Sequence, residues 1–306
     1  MIPYTRKTLP NGLTVVVNRD RASKLAAVNI LYRVGARNEN PARTGFAHLF
    51  EHLMFRGTRA VENFDLPVQM ASGDNNAFTN NDYTDFYITL PKDNLETALW
   101  LESDRMEGLD ITPAKLEAEK KVVIEEFRQR YLNQPYGDQT MLLRALAYKV
   151  HPYRWAAIGL ATDHIAGATL SDVESFYRAH YRPSNAILSI SADMEEERML
   201  ELAEKWFAPL ADHPSATAAI SQEPVQTQAP RQEVERDVPA STVTVAYHMC
   251  ARTKPDFYTA DLVSDLLSGG DSGRLYTHLV KERNLLSSVN AYITGDVDPG
   301  LFVFTG

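Results

Sequence analysis

His48-Leu49-Phe50-Glu51-His52 puts two imidazoles and a carboxylate within five residues. The stretch from Gly45 to Phe55 is apolar enough to form a buried helix. On a helix, positions i and i+4 share a face and lie about 6 Å apart along the axis. Two imidazoles stacked that way can converge on one metal ion. Glu51 follows His48 by three residues and precedes His52 by one, so it leans toward the same face and can take a proton from a water held by the metal. The chemistry this set supports is metal-assisted hydrolysis. Two histidines on an apolar helix can also be satisfied core residues, so the metal reading needs a third ligand from another element.

A catalytic zinc site uses three protein ligands and keeps a fourth position open. Thr112 to Tyr131 reads as a long helix, with Thr112 as its cap, Pro113 in its first turn and good helix formers after that. It carries Glu117, Glu119, Glu125 and Glu126. Glu119 and Glu126 are two turns apart and share a face. Val122 and Val123 lie on that side and are expected to bury it, whereas Glu117 and Glu125 point toward solvent. A solvated charged face is the usual fate of a Glu/Lys-rich helix. The apolar neighbours of Glu119 and Glu126 argue against it for those two.

H-x-x-E-H is the inverted form of the H-E-x-x-H zinc peptidase motif. Glu126 lies 74 positions beyond His52, and Glu119 lies seven before Glu126. In these features the chain resembles the pitrilysin/insulinase family of zinc peptidases, in its bacterial and mitochondrial-processing branch. Leu9-Pro10-Asn11-Gly12-Leu13, Arg43-Thr44-Gly45-Phe46-Ala47, Asn76-Ala77-Phe78-Thr79, Asn133-Gln134-Pro135-Tyr136-Gly137, His151-Pro152-Tyr153 and Tyr181-Arg182-Pro183-Ser184-Asn185-Ala186 extend the resemblance, in the family's order, over nearly the whole chain. The resemblance implies Zn2+ as cofactor, with His48, His52 and Glu126 as ligands. It implies Glu51 as general base and Glu119 as a catalytic-site carboxylate behind the ligands. It also implies that Asn76, Ala77 and Phe78 lie on a strand that aligns an extended peptide. The activity implied is that of an endopeptidase subunit acting on unfolded peptides or small proteins.

With 306 residues the chain exceeds one typical domain, and 44% hydrophobic content supports sizeable cores. No run approaches 18 continuous apolar residues, so no membrane span is expected. The net charge of −9 speaks against nucleic acid as the main partner. The single Cys250 excludes an internal disulfide and reads as a small core residue on a strand. Met1 to Pro10 lack an apolar signal core. The expected compartment is the cytoplasm, or the bacterial periplasm for a mature form.

The expected fold class is α+β, built from duplicated units in which helices cover a mostly antiparallel sheet. The first unit spans 1–210. Its strands are read at Leu13–Val17, Ala26–Val34, Ala77–Thr79, Asp85–Leu90 and Ala186–Ala192. Helices are read at Leu95–Met106, Asp138–Lys149, Ser171–Ala179 and Met194–Phe207, besides the two glutamate-bearing ones. Residues 211–232, rich in Pro, Ala, Ser, Thr and Gln, read as a linker. The pattern restarts over 233–306, beginning with a strand at Thr242–Met249. A shift of 213 carries His48 to Asp261, Glu51 to Ser264, His52 to Asp265 and Gly57 to Gly270, so this unit is metal-free. Asp261 and Asp265 are expected at the surface or in caps. Leu301–Thr305 corresponds to Asp85–Leu90. A counterpart of 91–210, about 120 residues, does not follow. The second unit therefore reads as incomplete, as in a fragment or a truncated form of a longer chain.

One departure from the family bears on mechanism. Relatives supply an arginine, and a tyrosine seven residues later, to steady substrate and the developing oxyanion. The matching positions here are Val280 and Ser287, and the nearby Arg283 and Tyr292 have the wrong spacing. This resembles a two-subunit arrangement in which a paralogous subunit without the zinc motif brings the pair, as a heterodimer. A homodimer is the other partner expectation. The competing class is a non-catalytic scaffold subunit of a larger complex. Such relatives commonly lose ligands, and this chain keeps them.

Overall fold

The computed structural model describes residues 2–213 and 219–306. The linker expected at 211–232 falls partly on 214–218, outside the described residues. In chain order the elements are β1 (Thr5–Thr8), β2 (Thr14–Arg19), β3 (Leu25–Tyr32), α1 (Phe46–Leu53), α2 (Asp65–Met70), β4 (Asp74–Thr79), β5 (Thr84–Pro91), α3 (Leu95–Glu107), α4 (Pro113–Phe127), α5 (Gln139–Ala147), α6 (Thr162–Ala166), α7 (Leu170–His180), β6 (Ala186–Ala192), α8 (Glu196–Phe207), β7 (Thr244–His248), α9 (Asp256–Ser268), β8 (Asn290–Ile293) and β9 (Leu301–Thr305). They pack as two compact units, one of 1–128 and 155–221, the other of 129–154 and 222–306. The sequence boundaries follow chain order. By packing, 129–154 groups with the C-terminal segment.

The first unit is a six-stranded sheet in the order β1-β2-β6-β3-β5-β4. Only β2 and β6 run parallel, and the other neighbours are antiparallel. Alternation decides the two faces. Val15, Val17, Val28, Ile30, Phe86, Ile88, Leu188 and Ile190 share one face by register and are buried under helices. Burying each such side chain fully stabilises by about 1.5–3 kcal/mol. Asn18, Asn29, Tyr87, Ser189 and Ser191 occupy the other face together with Val16, Leu31 and Ile187, so that face is mixed. β4 is an edge strand.

Two helices, α1 and α4, which pack against each other, carry the chemistry-bearing residues. Phe46, Leu49, Phe50 and Leu53 of α1 are all buried, and Phe50 stacks 5.2 Å from Phe176 and 5.1 Å from Tyr181. α4 begins as its sequence demands, with Thr112 Oγ1 accepting the Lys115 N–H at 3.2 Å and Pro113 in the first turn. Its buried residues are Leu116, Glu119, Lys120, Val123 and Phe127. Val122 does not join them, being 44% exposed, because it lies a quarter-turn off that stripe. The regular helix also ends at Phe127 rather than Tyr131, and Arg128–Leu132 forms a π-helical turn.

The second unit holds an antiparallel sheet in the order β7-β9-β8. β7 pairs with β9 as β3 pairs with β5, β8 pairs with β9 as β4 pairs with β5, and α9 follows β7 as α1 follows β3. The duplication read from sequence is thus repeated in strand pairing. Tyr148, Tyr153, Leu301 and Val303 form its buried cluster. Asp261 and Asp265 on α9 are exposed, as expected. Cys250 is half-buried and follows β7 instead of sitting on it. No helix among the described residues is long and apolar enough to cross a membrane.

Candidate metal centre

α1 and α4 pack against each other and bring the sequence-predicted ligands together. One ligand atom each from His48, His52 and Glu126 lie within 4.8 Å of one another. His48 Nε2 is 3.6 Å and His52 Nε2 3.4 Å from Glu126 Oε2. The two imidazole rings are 4.8 Å apart and inclined by 72°, edge to face, so they do not stack flat. A tetrahedral zinc with bonds of about 2.0–2.1 Å requires donors about 3.3 Å apart. The observed spacings of the carboxylate to each imidazole fit that demand, and the two-nitrogen, one-oxygen donor set suits zinc. Among the described residues this is the only cluster of three or more His, Cys, Asp or Glu that could hold a metal ion.

Glu119 lies behind the cluster. Its side chain is 1% exposed and its Oε2 is 3.4 Å from His52 Nδ1, on the ring edge opposite the nitrogen that faces Glu126. Burial works against its ionisation, but His52 and Arg56 outweigh burial and hold the carboxyl below its ordinary range. Arg56 Nη2 is 2.5 Å from Glu119 Oε1. Sequence reasoning missed Arg56. Arg56 lies in the turn just past the end of α1, outside the helical pattern, so the sequence carried no periodic signal for it. Burial likewise disfavours a charged His52, yet Glu119 and Glu126 prevail and lift its pKa to about 9.

Glu51 sits on α1 between the two histidines and is half-buried. Asn76, Ala77 and Phe78 lie on β4, as read from sequence, and β4 is an edge strand of the sheet. Asn76 Oδ1 accepts the Ala77 N–H at 2.8 Å, and Phe78 is 43% exposed with its ring 5.9 Å from that of Tyr83. In the second unit, Val280 lies on a π-helical segment, Ser287 and Arg283 are exposed, and Tyr292 stands on β8.

Residues 14–156 match the family model described as insulinase (peptidase family M16), and residues 167–306 match that of the peptidase M16 inactive domain. The chain is similar to "Zinc protease PqqE" of Helicobacter pylori, 33% identical over 303 residues, which cover 97% of this chain and 68% of that protein. It is also similar to "Probable mitochondrial-processing peptidase subunit beta, mitochondrial" of Arabidopsis thaliana, 26% identical over 315 residues and covering 98% and 59%. Among solved structures, a protease from Helicobacter pylori superposes with a TM-score of 0.94 at 32% identity, covering 100% of this chain and 75% of that one. The chain therefore spans about two thirds or less of the length of these two curated relatives.

Proposed function

The chain belongs to the insulinase family of peptidases, family M16, and from that premise we propose that it is the zinc-bearing subunit of a metalloendopeptidase. The convergence of His48, His52 and Glu126 carries the reading. Bound there, zinc supplies Lewis-acid chemistry, lowering the pKa of a water toward about 7 and polarising a carbonyl. Glu51 takes a proton from the attacking water and returns it to the leaving amine. Glu119, at His52 Nδ1, holds the proton on that nitrogen and leaves Nε2 as the ligand. An extended peptide adds to the edge strand β4 by main-chain pairing, which reads length and shape more than sequence. The Asn76 side chain yields its bond to Ala77 N–H when the peptide pairs there.

His52 gives a pH dependence with a definite sign. Zinc takes the neutral imidazole, whereas the metal-free protein keeps His52 protonated up to about 9. Below that value binding must expel one proton, so zinc affinity falls by about tenfold for each pH unit of acidification from about 9 toward neutrality. Calorimetry at neutral pH in buffers of different ionisation enthalpy counts the protons. Close to one released per zinc is expected, and none released would contradict the assignment.

Val280 and Ser287 stand where relatives place the oxyanion-steadying pair, and we propose that a paralogous subunit supplies it. This chain alone is expected to cleave an unfolded peptide about 10²–10³-fold more slowly than with that subunit, the usual cost of a missing oxyanion donor. Efficient cleavage by the purified chain, monomeric on a sizing column, would remove the partner. Failure to cleave even with the paralogue, with zinc bound, would favour the scaffold reading.

A further inference from the structure

The metal helix starts without a capping side chain of its own. Its N-cap is Gly45, at φ +92°, and a Cβ there would meet the Ile158 carbonyl oxygen at 2.7 Å. A helix start leaves N–H groups that the helix itself does not satisfy. Here a residue from outside the helix meets them. Glu39 is 6% exposed, and its Oε2 accepts the Gly45 N–H while its Oε1 accepts the Ala47 N–H, both at 2.9 Å. Burial pushes this carboxyl up to about 8, and the N–H groups of Ala47 and Gly45 act in the opposite direction.

The segment that carries Glu39 is itself bonded to the substrate-strand hairpin. Ala36–Asn38 forms a 3-10 turn directly before it. Ala36 N–H donates to Asn80 O at 3.1 Å and Arg37 N–H to Asn81 O at 2.9 Å, in the turn between β4 and β5. Arg37 Nη1 also pairs with Asp82 Oδ1 at 3.1 Å. Gly35 permits this approach, since a Cβ would come within 2.5 Å of Asp82 N. Trp155 Nε1 fixes the same turn from the other side, donating to Ala36 O at 2.9 Å. Glu39 is thus the last link of a chain of contacts running from the β4–β5 turn through Ala36–Asn38 to the first turn of α1.

We propose that Glu39 is a positioning residue that joins the metal helix to the edge-strand hairpin, and so fixes where α1 presents His48 and His52 to Glu126. This rests on the zinc reading above. Glutamine is nearly isosteric, but it turns an NH2 toward an N–H that needs an acceptor. Aspartate keeps the acid and is one methylene too short to hold both N–H groups.

The test is zinc affinity, measured by competition with a chromogenic chelator on wild type, Glu39→Gln and Glu39→Asp, with a thermal unfolding curve for each. The expected result is 10–100-fold weaker zinc binding by folded Glu39→Gln, the range typical of losing a group that orients ligands, with a smaller loss for Glu39→Asp. Unchanged zinc affinity in a folded variant, even with a lowered unfolding midpoint, would overturn the proposal, because a merely structural role moves only the midpoint. If neither variant folds, Glu39 serves the fold as a whole and the proposal fails. Absence of zinc binding by wild type would instead strike at the zinc reading, so the two failures are distinguishable.

Discussion

Glu51→Gln is expected to keep its fold and its zinc and to lose peptide hydrolysis by about 10²–10⁴-fold, the range that positioned proton transfer contributes. The substitution preserves volume on a helix whose packing rests on Phe46, Leu49, Phe50 and Leu53. It also leaves intact the three ligand atoms that converge, none of which belongs to Glu51. What it removes is the ability to accept a proton between the two imidazoles. The check is cleavage of a fluorogenic unfolded peptide with the partner subunit present, alongside zinc content. A rate within a few-fold of wild type would mean that another group is the base.

Glu126→Gln is expected to weaken zinc binding by more than about 10²-fold, whereas Glu119→Gln should fall in the 10–100-fold range of a group behind the ligands. Two effects oppose each other at Glu126. Losing the carboxylate deletes one of three donors, but it also removes one of the groups that hold the His52 proton in place. Easier proton release returns only part of the loss, because a neutral amide oxygen is a poor substitute for a carboxylate on zinc. Chelator competition on both variants gives the ranking. A larger loss for Glu119→Gln than for Glu126→Gln would exchange their roles.

The candidate cluster is legible in the sequence because each of its parts lies on a strongly patterned element. His48 and His52 sit on a helix with buried residues on both sides of the motif, and Glu119 and Glu126 recur every two turns beside Val123. The repeat of the strand–helix–strand unit was visible in the 213-residue shift, and β7, α9 and β9 follow it. What escaped was short or fully exposed. β1 presents no alternation because all four of its residues are exposed. α2 has six residues with Pro67 among them, α6 has five and β8 four, too few to show a period. Val122 and Val123 are adjacent on the chain but about 100° apart on the helical wheel, and sequence pattern alone does not say which of the two is buried. Arg56 and Glu39 escaped for another reason. Their roles depend on which groups they meet in space, Glu119 for one and the Gly45 and Ala47 N–H groups for the other.

The most direct test of the account is a crystal of the wild-type chain grown with zinc, measured on both sides of the zinc absorption edge. One anomalous peak per chain is expected, bonded by His48 Nε2, His52 Nε2 and a Glu126 carboxylate oxygen at about 2.0–2.2 Å, with Glu119 against His52 Nδ1. No peak between α1 and α4, or a peak there without Glu126 among its ligands, would contradict it.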